Sequence, residues 1–362
     1  MKRINKKKFP IYLIIVLIFT ILLIIGIFRS NLFDKKDNHS ASVYVALISY
    51  DSADTQDIKD IRSNVKQAAK ENKKNFKEFS TTKYNNSYEK AIEAAVDAGA
   101  KLIVLPDSSF ATTTYKLQNT FDKVDFILIG GAPHNKNNSD DTTLGNVYPL
   151  NYDSTQAGFL AGYCAAKDSY KNLGFIGTKD DYDSTHYCYG YLQGADYAAS
   201  ESSSNKINAS VVFSDSNSKG EDITNLKSCD LIAIGTTNQD IKKCYQEIAE
   251  STKVTVCSSA SSVCGDFSDA NLLSHTVNDY TTPVYDYVCE YFNGNSIPGE
   301  TTNLTVENDC VDISIDSKDS TVTDSDIAHI KNLLNDGTIQ VISDTSIPIT
   351  ELGLKNVNIS EY

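Results

Sequence analysis

From about residue 43 onward, short apolar runs alternate with longer stretches in which apolar side chains recur every three or four positions. Residues 43–49 (VYVALIS) are apolar almost throughout, as a parallel strand buried on both faces requires. Residues 54–71 place Ile58, Ile61, Val65 and Ala68/Ala69 on one stripe and predict a helix. Residues 76–80, Leu102–Leu105 and 124–130 predict further strands. Between them, helices are expected at 88–98, closed by Gly99 as a left-handed cap, and at 109–121.

The pattern then restarts. Residues 154–168 predict a helix with small side chains at Ala157, Gly158, Ala161, Gly162, Ala165 and Ala166. Glycine inside a helix costs about 1 kcal/mol relative to alanine, so a second backbone must pack closely there to offset it. Strands follow at 173–176, 211–213, Leu231–Ile234 and 254–256, with helices at 184–200 and 238–250. Each half therefore has the α/β pattern of a doubly wound sheet. Two such sheets in one chain imply two lobes, with a ligand cleft at the carboxyl ends of their strands.

The first 42 residues do not fit this alternation. Lys2, Arg3, Lys6, Lys7 and Lys8 precede residues 11–28, an apolar run broken only by Thr20 and Gly26. At ~1.5 Å per residue such a run nearly crosses a ~30 Å hydrocarbon core. It is longer than the core of a signal peptide, and no small-x-small cleavage site follows. Residues 1–10 are therefore expected in the cytoplasm, 11–28 as an uncleaved signal anchor spanning the cell membrane, 29–42 as a linker, and the body outside the cell. The first cysteine is Cys164, so no lipid can be attached to an N-terminal cysteine.

Charge reinforces the division. The 362 residues carry a formal charge of −14, but residues 1–40 hold eight basic and two acidic side chains, leaving 25 basic against 45 acidic beyond them. A body at −20 lacks the clustered Lys and Arg that phosphate contacts need, which argues against nucleic-acid binding. The eight cysteines could bridge in an oxidising compartment or remain buried thiols. Cys257 and Cys264 are close enough in sequence to close a small loop. No Cys-x-x-Cys pair or His/Cys zinc spacing occurs, so neither metal nor cofactor is expected. No Gly-x-Ser-x-Gly, His-Glu-x-x-His or complete phosphate loop is present, and His186 beside Asp180 or Asp183 is a weak candidate base; no catalytic residue and no enzyme activity is expected.

Several motifs in one order carry a resemblance. EAAVDAGAKLIV at 93–104 is followed by Pro106-Asp107-Ser108-Ser109-Phe110; QAGFLAG stands at 156–162 after GNVYPLNY at 145–152; GFIG at 174–177 precedes Tyr187-x-x-Gly190-Tyr191-x-x-Gly194; and AHIKNLLNDGTIQV closes the series at 328–341. Over roughly residues 43–342 the chain resembles the basic membrane protein family, substrate-binding proteins of ABC transporters best known for nucleosides. The resemblance implies a type 1 periplasmic-binding-protein fold with three crossovers. Lobe one would be 43–149 completed by 254–277, lobe two 150–253 completed by 278–342, and 343–362 a C-terminal tail. The last helix would be followed by a strand near 341.

The resemblance also implies a small-molecule ligand, of nucleoside type, and an ABC permease as partner. Three family ligand positions are changed, however. Where the family carries a base-stacking Phe and an Asn, this chain has Ile58 and Lys59; Ser258 and Ser259 follow Cys257 where the family has an acid, and Asn278 stands near its lysine. Topology nominates cleft residues from the loops after the strands: Tyr50, Asp51, Asp54, Ile58, Asp107, Ser109, Phe110, Asp180, Tyr182, Tyr187, Thr236 and Ser258. Ser108 and Ser109 are equally suited to cap a helix. The expected role is ligand capture for an importer. The alternatives are a sensing or interaction domain of the same fold that no longer binds nucleosides, and an extracellular hydrolase.

Overall fold

The computed structural model describes residues 42–50, 55–81, 87–135, 141–179, 181–201, 206–214, 221–235, 252–257 and 271–362. The apolar run at 11–28, the helix expected at 238–250 and Cys264 lie outside these residues. No described helix is long and apolar enough to cross a membrane.

The first half runs β1 (Val45–Tyr50), α1 (Gln56–Glu71), β2 (Phe76–Thr81), α2 (Ser87–Asp97), β3 (Leu102–Leu105), α3 (Ala111–Leu117), β4 (Asp125–Ile129) and β5 (Val147–Tyr152). α1 starts where the Thr55 hydroxyl accepts from the Ile58 N–H, and it buries the expected stripe of Ile58, Ile61, Val65, Ala68 and Ala69. The second half continues with α4 (Ser154–Lys167), β6 (Asn172–Thr178), α5 (Tyr182–Ser200), β7 (Ile207–Ser214), β8 (Leu231–Ile234), β9 (Lys253–Val256) and β10 (Leu272–Asn278). It ends with α6 (Thr282–Asn293), β11 (Thr302–Leu304), β12 (Val311–Ile315), α7 (Asp324–Asn335) and β13 (Val357–Glu361).

The strands form a six-stranded sheet, β11-β5-β4-β3-β1-β2, and a seven-stranded sheet, β12-β10-β9-β8-β6-β7-β13. Pairing is parallel throughout except between β10 and β12. Alternate residues of the first sheet serve two cores. Ala46, Ile48, Ile103 and Leu128 enter one with Phe110, whereas Val45, Leu47, Val104 and Ile127 join a core continuous with the second lobe.

The expected lobe boundaries require correction. Residues 254–277 do not complete the first lobe: β9 pairs with β8 and β10 with β9, so both extend the second sheet. The piece that returns to the first lobe is 279–304, where α6 packs on α1 and β11 pairs with β5. The physical reason is continuity. Successive parallel strands with buried Val254, Val256, Leu272 and Leu273 add to the sheet already begun. The chain thus crosses between lobes after Tyr152, after Asn278 and after Leu304. The strand expected near 341 is also absent: α7 is followed by irregular chain.

The three crossings are fastened together. The Tyr152 hydroxyl donates to the Asp279 carbonyl at 2.5 Å, the Asp153 N–H to the Leu304 carbonyl at 2.8 Å, and the Asp279 N–H to the Cys310 carbonyl at 2.9 Å. The tail is equally fixed. Gln193 exchanges two bonds with the Ile342 backbone, Tyr189 donates to the Ile347 carbonyl, Asp196 accepts from the Lys355 and Asn356 N–H groups, and β13 pairs along β7. Residues 189, 193 and 196 share one face of α5, so the tail lies along that helix.

The tightest packing is between α4 and α5. A Cβ added at Gly158 or Gly162 would lie 2.1 or 1.9 Å from the carbonyl oxygens of Tyr187 and Tyr191; one added at Gly190 or Gly194 would lie 1.8 or 2.0 Å from those of Thr155 and Phe159. The two backbones therefore touch through reciprocal glycines, the close approach the small-residue spacing foretells. Gly162→Ala or Gly194→Ala is expected to destabilise the chain by about 2–3 kcal/mol, despite alanine's better helix propensity. Thermal unfolding should show midpoints lowered by several degrees, while Gly145→Ala, with nothing within 4 Å of the added Cβ, leaves the midpoint nearly unchanged.

Candidate ligand-binding cleft

The carboxyl ends of both sheets converge on one place. In the first lobe, Tyr50 ends β1, and Asp107, just beyond β3, caps the turn Ser108–Phe110 by accepting from the Ser109 N–H. The Tyr50 hydroxyl donates to Asp107 Oδ2 at 2.7 Å and lies 2.7 Å from Ser109 Oγ, which donates to Asp107 Oδ1. The Tyr50 ring rests on Tyr88 and Phe110, with centroids 6.3 and 5.9 Å away. Burial, then the Asp107 charge, holds the Tyr50 phenol well above its ordinary range.

In the second lobe, β6 turns into α5 at Asp181, whose carboxylate accepts from the Ser184 N–H. Asp183, in the first turn, is 9% exposed. It accepts from Ser154 Oγ at 2.7 Å and from Ser108 Oγ at 3.2 Å. Ser154 belongs to the same lobe, but Ser108 belongs to the other, so this carboxyl bridges the cleft. Burial, followed by the charge of Asp181, pushes the Asp183 pKa up to about 7, the two serine hydroxyls and the weaker charge of Asp107 acting in opposite directions.

The hinge supplies the floor. Tyr152 and Tyr280 pack with ring centroids 4.8 Å apart, and Asn278 Nδ2 donates to the Tyr280 hydroxyl at 3.1 Å. Burial raises the Tyr280 phenol, and the carboxylates of Asp57, Asp183 and Asp107 add to the effect. Tyr182 faces this ring of acids from α5. Its pKa is pushed up to about 12 by burial and then by Asp183 and Asp153, with a hydrogen bond from Asn151 opposing. The other side of Tyr182 stacks on His186 at 3.8 Å. Behind them lies a pocket of about 290 Å³ lined by Lys179, His186, Phe213 and Ile349. Burial lowers the His186 pKa, and its Nδ1 lies 2.8 Å from the Tyr182 carbonyl.

Of the residues nominated by sequence, Tyr50, Asp107 and Ser109 share one hydrogen-bonded network, and Tyr182 stands in the second lobe beside Asp183. Ile58, Phe110 and Tyr187 are placed differently: each is at most 6% exposed and packs into a core. Ile58 belongs to the buried stripe of α1, Phe110 supports Tyr50 from beneath, and Tyr187 lies where α5 meets α4. Asp51, Asp54, Asp180, Thr236, Ser258 and Ser259 lie outside the described residues. Sequence reasoning missed Asp183 as a bridge, together with Ser154, Asn151, Tyr152 and Tyr280, and noted Asn278 only as standing near a family lysine. Apart from Asp183 these residues flank the crossings after Tyr152 and Asn278, close to the boundaries expected at 149/150 and 277/278. Among the described residues no group of His, Cys, Asp and Glu is arranged to hold a metal ion.

Asp183 gives the stability a specific pH dependence. Its folded-state pKa lies above the ordinary carboxyl value, so the folded chain holds a proton that the unfolded chain has released. That stabilisation is complete below about pH 4 and is lost as pH rises through about 7. The unfolding midpoint of Asp183→Asn, measured against the parent chain from pH 4 to 8, is expected to gain on it by several degrees across that window. Parallel curves would assign the pH dependence elsewhere.

The model of the Bmp family, described as PnrA-like ABC transporter substrate-binding proteins, matches residues 40–348. Among solved structures, a solute-binding protein of an ABC transporter system from Conexibacter woesei DSM 14684 is 16% identical, covering 83% of this chain and 99% of its own, with a TM-score of 0.57. A transcriptional activator of the comK gene from Bacillus halodurans is 14% identical over 82% of this chain and 98% of its own, at 0.56. A periplasmic solute-binding protein from Actinobacillus succinogenes 130z, with bound D-allose, is 11% identical over 77% and 100%, at 0.55. At these identities the likeness is one of fold. No curated protein matches the chain significantly. From the three-crossover architecture and the extent of the family match, the chain belongs to the Bmp family of PnrA-like ABC transporter substrate-binding proteins.

Proposed function

We propose that this protein captures a small polar solute outside the cell and delivers it to the permease of an ABC importer, without chemistry on the ligand. The observation that carries the reading is the meeting of both lobes at Asp183: a hydroxyl from the loop after β3 and a carboxyl from the first turn of α5 bond across the cleft. Groups at the carboxyl ends of two parallel sheets, joined by a three-stranded hinge, suit a ligand enclosed by lobe closure. Family membership supports the same role. Nucleosides are the ligand class that the family resemblance implies, and they belong in the first test. The apolar run at 11–28 serves in this reading as the membrane anchor, with the body facing outward.

Two measurements check these assignments. Thermal unfolding of the full chain is expected to respond saturably to one member of a panel of nucleosides, sugars, amino acids and amines. Ligand at 100 times its dissociation constant stabilises by about 2.7 kcal/mol, a shift of several degrees. A panel without any response would remove the solute-binding role. Protease added to intact cells should digest the body and leave a short N-terminal fragment; a protected body would place it on the other side of the membrane.

A further inference from the structure

The hydrogen-bonding capacity of the cleft is unequally used. The hydroxyl hydrogens of Tyr50 and Ser109 go to Asp107, and those of Ser108 and Ser154 go to Asp183. Acceptors are left over. Asn151, at the carboxyl end of β5 and 8% exposed, spends its amide hydrogens on Asn303 and Tyr182, while its Oδ1 has no partner among the described residues. Asn278, at the carboxyl end of β10, donates to Tyr280 and likewise leaves Oδ1 unmatched. A carboxylate offers about four lone-pair sites, more than these hydroxyls fill, and a buried acceptor without a donor is costly.

Charge points the same way. The groups acting most strongly on Asp183 and Tyr280 are carboxyls, hydroxyls and an amide, with no lysine or arginine among them. Tyr280, backed by the buried Tyr152 ring, adds aromatic surface, whose electron-rich face favours a cation. A neutral nucleoside or sugar brings hydroxyl donors but no charge, and its ring and carbonyl acceptors need donors from the protein that these hydroxyls have already given away. The complement of such a cleft is a positively charged donor.

We infer that the cleft is built for an organic cation bearing N–H donors, a primary amine or guanidinium compound, held by Asp107 and Asp183 against Tyr280, with the carbonyl oxygens of Asn151 and Asn278 taking its remaining hydrogens. This rests on the solute-binding reading above and narrows it to a class of ligand. The quaternary ammonium of choline, which has charge but no N–H, binds more weakly.

The test is isothermal titration of the full chain at about 150 mM salt, where loose counterion association with an acidic surface is screened. Agmatine and spermidine are the probes, with choline, adenosine and glucose for comparison. One saturable site for agmatine or spermidine is expected, with choline at least tenfold weaker. Asp107→Asn and Asp183→Asn should each weaken it at least roughly tenfold, since each removes a charge-assisted bond. Circular dichroism checks the fold of both variants, and Asp107, partly exposed on a turn, is less buried than Asp183. Binding of adenosine or glucose but neither amine would overturn the cation and leave solute capture standing. Silence from every probe would overturn the cation, with the thermal panel then deciding capture. Amine binding with many sites per chain, or undiminished in both variants, would mark surface association and overturn the site.

Discussion

The contact of two main chains where α4 crosses α5 is the constraint on which the second lobe depends. Side chains can repack when a neighbour changes, but peptide groups pressed against each other through four glycines cannot. The crossing sets the separation of the two helices, and both begin at the cleft. Ser154 opens α4 and Asp183 lies in the first turn of α5, so the 2.7 Å bond between them follows from a packing event one to three turns deeper. The carboxyl that bridges the lobes is thus aimed by glycines that no ligand touches.

Much of this was legible in the chain. Apolar runs marked β1–β4 and β6–β9 but not β10–β13, the stripe from Ile58 to Ala69 identified α1, and the small residues of 154–168 announced a close partner. The lobe boundaries were not legible, because periodicity tells strand from helix but not which sheet a strand joins. Residues 253–256 and 272–278 read the same on either sheet. Only their pairing with Leu231–Ile234 and with each other decides the matter. The candidate site suffered for the same reason. The loops after strands led to Tyr50, Asp107, Ser109 and Tyr182, which lie at the carboxyl ends of the two sheets, whereas Asn151, Tyr152 and Tyr280, beside the crossings, were not singled out. Phe110 and Tyr187 show the opposite error: an aromatic next to a loop is as useful to the core as to a ligand, and sequence position alone does not tell the two apart.

The acids at the cleft are arranged at a cost. Asp183 is withdrawn from water beside Asp181 and Asp107, and folding answers with a proton near neutral pH and two serine hydroxyls rather than with a basic side chain. A lysine placed there would have offset the charge permanently. Among the described residues no lysine does so, which leaves the local field negative and the carbonyl acceptors unmatched, so the conformation with the lobes in contact is less comfortable than it could be. Such a state gives a binding protein something to gain from its ligand.

The tie between the three crossings governs how fast that gain can be collected. Because the Tyr152 hydroxyl and two main-chain bonds hold the connecting segments against each other, the lobes can turn about them but the segments cannot spread. Closure then orders little that was not already ordered, and little of a ligand's interaction energy goes into restraining loose chain. Differences among solutes therefore fall mainly on how long each stays in the cleft rather than on how quickly it enters, and it is residence time that sets the window in which a permease can dock.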